Sequence, residues 1–240
     1  FRVTNEEAII YHLGFNNKGV SYLKEKLRHF NRNIPIGVNI GKNSNTAIDK
    51  AHEDYEYCMN KIFEFSDYLT LNISSPNTLK LRDLHSESYL NNFLKKIKNT
   101  HERLSKKYKK HVPLILKISP DINEEGLKNI CNSIKHYDIE GVIATNTSTD
   151  KSILKNKKFT NYSGGVSGKP MLVKSNKIIE IVKKLVGNDV AIIGCGGISS
   201  KEAAISKIEL GSDLIQLYTG LVYSGTSLIQ DITGLNNKTM

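Results

Sequence analysis

The chain contains 240 residues, 39% hydrophobic and 24% charged, a composition that excludes a long disordered or fibrous chain. Its 34 Lys and Arg residues against 24 Asp and Glu residues give a formal net charge of +10. Much of this charge lies in helix-like runs such as 95–98 and 106–110, and no RNP, zinc-finger or KH pattern occurs, so we expect no nucleic-acid partner. No run of about 18 apolar residues marks a membrane-spanning helix.

Short apolar segments alternate with longer amphipathic segments along the whole chain. The apolar segments are rich in Val, Ile and Leu, which predicts strands buried on both faces of a parallel sheet at 34–40, 68–73, 112–118, 141–145, 190–194 and 214–218. The amphipathic segments predict helices at 46–65, 87–108, 124–136, 175–185 and 201–210. Ser175 and Ser200 are expected N-caps, and Gly211 follows the last helix. We expect one α/β domain covering residues 1–240.

Either an open doubly wound sheet or a closed (β/α)8 barrel accepts this order. An open sheet concentrates its chemistry at one switch point, whereas a barrel brings the carboxyl ends of all strands to one face. Polar or glycine-rich residues follow nearly every predicted strand here. This favours a (β/α)8 TIM barrel with six of its eight strands visible, and we expect the first two strands to precede Phe1.

Glycines and one lysine at predicted strand ends suggest an anion site. The pair Gly196 and Gly197 and the segment 163–170 resemble a phosphate cradle, because glycine lets backbone N–H groups close on an anion. Two ordinary turns are the alternative. Lys117 ends an apolar strand, where it either faces a bound anion or reaches solvent.

Neutral amides at the strand ends suit a planar, amide-rich heterocycle, since each offers paired donors and an acceptor. They are Asn39, Asn72, Asn77 and Asn146. Ser75 is either a nucleophile or proton acceptor, or an ordinary turn serine, because no nearby His or Asp completes a triad.

The cysteines and histidines predict no site. Cys58, Cys131 and Cys195 are too few and scattered for a disulfide framework, which indicates a reducing compartment. Cys58 and Cys131 are expected in the core and Cys195 behind the glycine loop. The seven histidines lack zinc-ligand spacing, so we predict no metal.

Eight ordered segments of the chain resemble the dihydroorotate dehydrogenases, and the resemblance covers essentially its whole length. They are LGFNN (13–17), GVNIGKN (37–43), NISSPNT (72–78), LKISPD (116–121), ATNT (144–147), GGVSGKP (164–170), IGCGG (193–197) and QLYTG (216–220). The membrane-associated class 2 enzymes are the most similar, because Ser75 stands where class 1 enzymes use cysteine.

The resemblance implies oxidation of dihydroorotate to orotate in de novo pyrimidine (UMP) biosynthesis, with FMN as hydride acceptor and a quinone as final electron acceptor. It also implies an amino-terminal helical pair, ahead of Phe1, that forms the quinone tunnel and rests on the membrane. The expected location is therefore peripheral, at the cytoplasmic face of the bacterial inner membrane or, alternatively, at the mitochondrial inner membrane.

The resemblance assigns roles residue by residue. The flavin ring and ribityl chain would contact Asn39, Asn72, Lys117 and Thr145, and the phosphate end would contact Gly168, Gly196, Gly197, Tyr218 and Thr219. The substrate would contact Phe15, Asn72, Asn77, Asn146 and Thr147. Ser75 would remove the C5 proton of dihydroorotate, while Phe15 and Thr78 would gate the water path that drains this proton.

Two residues depart from the family pattern. Tyr11 replaces an asparagine that contacts a substrate amide, and Cys195 replaces a small apolar valine in the phosphate loop, which should be tolerated. Two rival functions remain. One is a class 1-like or dihydropyrimidine-type flavin oxidoreductase with another electron acceptor, and the other is a non-catalytic basic barrel protein.

Overall fold

The computed structural model describes residues 1–31, 33–78 and 80–234. Its strands are β1 (Arg2–Val3), β2 (Ala8–Tyr11), β3 (Gly37–Ile40), β4 (Tyr68–Asn72), β5 (Leu114–Ile118), β6 (Gly141–Ala144), β7 (Gly165–Gly168), β8 (Ala191–Cys195) and β9 (Leu214–Gln216). Its α-helices are α1 (Val20–Arg28), α2 (Ala51–Ile62), α3 (Glu87–Tyr108), α4 (Glu124–His136), α5 (Leu172–Val186), α6 (Lys201–Glu209), α7 (Thr219–Ser224) and α8 (Ser227–Thr233).

The six predicted strands form one sheet in the order β3-β4-β5-β6-β8-β9. Val38 pairs with Leu69, Asn72 with Lys117, and Cys195 with Gln216, each in parallel register. Parallel neighbours need crossover connections, and α2 to α6 provide them between successive strands. This strand–helix alternation is the predicted one, with each strand ending within two residues of its expected position.

The chain forms two compact units. The first unit comprises Phe1–Leu13, Ile118–Ile122 and the chain from Ile143 onward, and the second comprises Gly14–Lys117 and Asn123–Val142. The prediction of one domain over 1–240 stays a prediction. Among the described residues, no helix is both long enough and apolar enough to cross a membrane.

The second unit has its core between the strands and the helices α2, α3 and α4. Leu71 of β4 and Leu94 of α3 are fully buried, and burial of such side chains stabilises a fold by about 1.5–3 kcal/mol each. The ring of Tyr55 meets Phe93 edge-on at 4.8 Å between centroids, and its hydroxyl donates to the backbone oxygen of Asn72 at 2.7 Å. A buried side chain thus holds the carboxyl end of β4 in place.

The first unit contains a small antiparallel sheet, β1-β2-β7, that the sequence did not predict. In it Ala8 pairs with Gly168 and Tyr11 with Gly165, and the side chains of Ile10 and Val166 form a buried cluster with Leu154. The glycine-rich segment 163–170 predicts a loop, but four of its residues form β7. This strand was not predicted because its partner, β2, lies more than 150 residues earlier in the chain, and a local sequence pattern does not reveal so distant a pairing.

Several predicted helix boundaries are corrected. α5 begins at Leu172, so Ser175 lies inside the helix and is not its N-cap; its hydroxyl donates to the backbone oxygens of Leu172 and Gly196 instead. The predicted helix 46–65 divides into α2 with a 3-10 turn at each end, and α1, α7 and α8 were not predicted. Gly211, with φ of +104°, follows α6 as expected.

The expected core position is confirmed for Cys131 and is wrong for Cys58. Cys131 and Cys195 are buried, whereas Cys58 is only half-buried. Burial raises the pKa of both the Cys58 and the Cys131 thiol to about 11, so neither is a thiolate near neutral pH.

The predicted N-cap at Ser200 is confirmed, since its hydroxyl oxygen accepts from the backbone N–H of Ala203 at 3.3 Å. Replacing the cap by Ser200→Ala should lower the free energy of unfolding by about 0.5–2 kcal/mol, because an orphan N–H of α6 loses its acceptor. Urea denaturation followed by circular dichroism measures this. Ser200→Asn, which keeps an acceptor, is the matched control, and equal destabilisation by both variants would contradict the capping role.

Candidate functional site

One face of the parallel sheet in the second unit is polar. Successive side chains of a strand point to opposite faces, and parallel partners point to the same face. Asn39 is in register with Thr70, and Asn72, two residues further along β4, is in register with Lys117. The two-residue period therefore places all four on one face, near the carboxyl ends of the strands. Three of them are predicted flavin contacts.

Asn72 is the most constrained of these residues. Its side chain is buried, and its amide oxygen accepts from the backbone N–H and the hydroxyl of Ser74 at 3.3 and 3.0 Å. Its backbone oxygen is held by the hydroxyl of Tyr55. Burial raises the pKa of that tyrosine to well above its ordinary value, so the hydroxyl stays a donor. The amide of Asn72 is thus fixed in orientation before any ligand binds.

Ser75 lies in the turn that follows β4. It is buried, with 6% of its surface exposed, and its hydroxyl oxygen accepts from the backbone N–H of Asn77 at 3.3 Å. No titratable side chain of the described residues hydrogen-bonds to this hydroxyl. The turn expected from the sequence is present, and the catalytic role of Ser75 stays a prediction.

The structure brings predicted substrate residues together around this turn. A Cβ atom on Gly41 would lie 2.5 Å from the ring of Phe15, so this ring packs directly on the backbone of Gly41. A Cβ atom on Gly14 would lie 3.4 Å from the backbone oxygen of Asn77, so these two segments also lie close together. Thr78 is buried and Phe15 partly exposed. The segments 14–15, 41 and 75–78 therefore form one continuous cluster within the second unit.

Sequence reasoning missed Lys42, which organises the loop after β3. Its side chain is 2% exposed, and its ammonium group donates to the backbone oxygens of Asn43 and Thr46, both at 2.7 Å. Burial lowers the pKa of Lys42, and the nearby carboxylate of Asp54 opposes this shift. Lys42 directly follows Gly41 in the GVNIGKN segment, just after the end of β3, and this position at a strand end was the sequence feature that could have marked it as a site residue.

The predicted phosphate residues gather in the first unit. Gly196 and Gly197 follow β8 with φ of +108° and +82°, and a Cβ atom on Gly197 would lie 2.4 Å from the backbone of Leu172 at the start of α5. Gly168 lies close to the side chain of Thr219, whose hydroxyl bonds to Ser167 at 2.8 Å. Glycines are required here because the backbone segments touch.

This arrangement fits a phosphate group. Successive residues with positive φ turn their backbone N–H groups into a concave anion site, and the N-terminus of a helix adds a favourable dipole. Gly197 and the first turn of α5 supply both features. The side chain of Tyr218 is 71% exposed, so we expect that residue to contribute through its backbone.

The residues after β6 are fixed by backbone contacts. The backbone N–H of Thr145 donates to the backbone oxygen of Cys195 at 2.8 Å, and that of Asn146 donates to the backbone oxygen of Ile118 at 2.9 Å. The amide oxygen of Asn146 accepts from the N–H of Thr147 at 2.8 Å. Thr145 is buried, whereas Asn146 and Thr147 are half-buried. The two predicted substrate residues therefore lie on a short segment with little freedom.

A charged network, which sequence reasoning also missed, holds residues 148–150 in place. The carboxylate of Asp121 accepts from Ser148 and from the backbone N–H and hydroxyl of Thr149, the latter two at 2.8 and 3.0 Å. The ammonium group of Lys174 reaches the same carboxylate at 2.7 Å and Asp150 at 3.3 Å. Burial alone would raise the pKa of Asp121, but these hydrogen bonds outweigh it and hold the pKa well below its ordinary value.

Tyr11, the departure from the family pattern, lies in β2 opposite Gly165. A Cβ atom on Gly164 would lie 2.3 Å from the backbone oxygen of Tyr11, so the residue just before β7 lies close to the end of β2. The side chain of Tyr11 is half-buried.

Among the described residues, no group of three or more His, Cys, Asp or Glu side chains is placed to hold a metal ion.

Comparisons with known proteins decide the family. The model of the dihydroorotate dehydrogenase family matches residues 1–239. The chain belongs to the dihydroorotate dehydrogenase family. It is 44% identical to dihydroorotate dehydrogenase (quinone) of Legionella pneumophila strain Corby, covering 98% of this chain and 71% of that protein. It is 43% identical to the protein of the same name from Aliivibrio salmonicida, covering 97% and 69%.

The structural comparison agrees. The crystal structure of DHODH from Eimeria tenella in complex with ferulenol superposes with a TM-score of 0.87 at 29% identity, covering 98% of this chain and 68% of that one. The ligand-free structure from the same organism gives a TM-score of 0.89. Because these neighbours are (β/α)8 barrels, the predicted fold class is confirmed, with six barrel strands in this chain.

Asp121 makes the structure sensitive to acid. Because its folded-state pKa lies below the unfolded value of about 4, its stabilisation is present above pH 4 and is lost as the pH falls below that value. Asp121→Asn should therefore lower the free energy of unfolding at pH 7 by about 1.5–3 kcal/mol and flatten its decline below pH 4.

Urea denaturation between pH 3 and pH 7 tests this. Asp150→Asn is the matched control, because that carboxylate is more exposed, lies further from Lys174 and keeps its capping oxygen as asparagine. A parallel pH dependence for wild type and Asp121→Asn would contradict the expectation.

Proposed function

We propose that this protein oxidises dihydroorotate to orotate in UMP biosynthesis, with FMN as the hydride acceptor and a quinone as the final electron acceptor. The observation that carries the proposal is family membership over essentially the whole chain, with curated relatives named dihydroorotate dehydrogenase (quinone) at 41–44% identity. Ser75, where class 1 enzymes use cysteine, favours the quinone-dependent class over a class 1-like enzyme with another acceptor.

The residues of each unit suit, by their chemistry, the part of FMN that the resemblance assigns to them. Asn39, Asn72, Lys117 and Thr145 would hold the ring and ribityl chain, and Gly168, Gly196, Gly197, Tyr218 and Thr219 would hold the phosphate. When bound, FMN supplies a two-electron acceptor for the hydride from C6 of dihydroorotate. Lys117, in register with Asn72, provides a positive charge on the polar face of the sheet, where it would stabilise the negative charge of a reduced flavin.

The substrate residues are amides and hydroxyls suited to a cyclic diamide with a carboxylate. Asn72, Asn77, Asn146 and Thr147 would donate to and accept from its ring amides and carboxylate, and Phe15 would cover it. The fixed amides of Asn72 and Asn146 support this role, because a preoriented donor loses little entropy on binding.

Ser75 would accept the C5 proton. An ordinary serine hydroxyl is a poor base, so the reaction needs close positioning and an outlet for the proton. The bond from the N–H of Asn77 positions the oxygen, and we assign the outlet to a water path gated by Phe15 and Thr78. The side chain of Thr78 is buried three residues after Ser75.

We further propose that the enzyme is peripheral to the cytoplasmic face of the bacterial inner membrane. The supporting observation is the quinone in the names of bacterial relatives, since quinones are membrane-bound. The membrane contact itself rests on the family resemblance, and this chain covers 71% of the length of the Legionella protein.

Anaerobic mixing of the full-length protein with dihydroorotate tests the function as a whole. The oxidised flavin absorbance should disappear, and added quinone should restore it. A yellow protein that dihydroorotate fails to bleach would reject the substrate and direct attention to Tyr11. A colourless protein that binds no added FMN would favour the non-catalytic barrel.

Ser75→Ala should slow flavin reduction by dihydroorotate about 100- to 10,000-fold, the contribution of a positioned general base, while FMN stays bound. Stopped-flow absorbance under anaerobic conditions measures the rate. Ser75→Cys, which keeps a proton acceptor, is the matched control and should retain more activity than the alanine variant. Loss of flavin, or an unchanged reduction rate in Ser75→Ala, would reject the assignment.

A further inference from the structure

Lys207 is a cation enclosed in the first unit, and nothing in the proposed reaction uses it. Its side chain on α6 is fully buried, and its ammonium group donates to the hydroxyl of Ser175 at 2.7 Å and the amide oxygen of Asn176 at 3.0 Å. Both partners are neutral. Among residues 1–31, 33–78 and 80–234, no carboxylate lies within ion-pair distance of this ammonium group.

An enclosed ammonium group without a carboxylate is costly, because water no longer solvates its charge. Burial lowers the pKa of Lys207 to about 8, and the nearby Cys195 opposes the shift only in part. The group therefore stays mostly protonated at pH 7. An anion bound in the same unit would offset such a charge.

The position of Lys207 connects it to the glycine loop. A Cβ atom on Gly194 would lie 3.0 Å from the Cδ atom of Lys207, so the lysine stem packs directly behind the loop. The Ser175 hydroxyl that accepts from Lys207 shares its own proton between the backbone oxygens of Gly196, at 2.9 Å, and Leu172, at 3.1 Å. Two consecutive hydrogen bonds thus run from the ammonium group to the Gly196 carbonyl.

This connection sets the direction of one N–H group in the loop. In a trans peptide the carbonyl and the N–H point in opposite directions, and the Gly196–Gly197 peptide is trans. Holding the Gly196 carbonyl toward Ser175 therefore turns the Gly197 N–H away from Lys207, toward the opposite side of the loop. A charge at the start of such a chain also polarises and strengthens each bond along it.

We propose that Lys207 is the positioning residue and counter-charge for the FMN phosphate, acting from behind the loop through Ser175 and the Gly196–Gly197 peptide. The inference rests on the proposed function, which places that phosphate at Gly196 and Gly197. The rival explanation is structural, since Lys207 also joins α6 to α5 through Ser175 and Asn176.

A comparison of two flavins separates these explanations. FMN and riboflavin share the ring and the ribityl chain and differ only in the phosphate. Loss of a phosphate-directed charge weakens FMN alone, whereas a general disturbance of α5 and α6 weakens both. We expect Lys207→Met and Lys207→Gln to raise the dissociation constant of FMN by about 10- to 100-fold, with that of riboflavin unchanged.

The experiment uses full-length apoprotein titrated with each flavin, with binding followed by flavin fluorescence. Lys201→Met, an exposed lysine at the start of the same helix, is the matched control and should bind both flavins as wild type does. Equal weakening of FMN and riboflavin in the Lys207 variants, or no change in either, would overturn the inference.

A second measurement needs no flavin. If Lys207 is an uncompensated charge, replacing it by Met should leave the melting temperature of the apoprotein unchanged or higher, because a desolvated cation is removed. A clear decrease would indicate the structural role and overturn the inference. In the flavin titration, wild-type apoprotein that binds FMN no better than riboflavin would reject the proposed phosphate site. If wild type prefers FMN and the Lys207 variants keep that preference, the phosphate site stands and only the role of Lys207 is rejected.

Discussion

The parallel register of β3, β4 and β5 is the constraint on which the polar face of the second unit depends. With Asn72 opposite Lys117, every second residue of the three strands points to the same side, and the residues between them enter the core. A slip of one residue would turn Leu71 out of the core and place a lysine among buried leucines. The hydrophobic pattern therefore determines where the amides and the lysine lie, and the hydroxyl of Tyr55 fixes where β4 ends.

Three buried or half-buried lysines show three ways of compensating a charge. Lys174 has the carboxylate of Asp121, and the pair is stable because hydrogen bonds satisfy the remaining carboxylate oxygens. Lys42 has backbone carbonyls of its own loop, with Asp54 nearby. Lys207 has a hydroxyl and an amide oxygen as acceptors, with Cys195 nearby. Of these three lysines, only Lys207 has no carboxylate nearby among the described residues, and the role that we propose for it toward the phosphate rests on this difference.

The sequence was most informative where the pattern is local. α3 and α4 begin and end where predicted, because each has a continuous amphipathic period, and the side chain of Asn123 caps α4. The antiparallel pairing of β2 with β7 was beyond prediction, because glycine-rich residues read as a turn unless the distant partner strand is known. The site residues depend on the resemblance, since amides at strand ends do not specify a ligand by themselves.

The supporting residues were missed for a different reason. A lysine in a helix is usually solvated, so Lys207 and Lys174 gave no signal on their own. The burial pattern of α6 does contain one, because Lys207 lies four residues after Ala203 and three after Ala204, on the buried stripe of the helix. A charged residue at such a position is expensive unless the fold uses it.

The turn at Ser75 gives the two interpretations of that serine a common physical basis. A serine that accepts a substrate proton must release its own, and oxygen gains negative charge as it does so. The N–H of Asn77, which donates to this oxygen as part of the turn, stabilises that charge more strongly than the neutral hydroxyl. Burial removes competing water and strengthens the effect. The bond that makes Ser75 a turn residue is therefore also the bond that a proton-accepting serine requires.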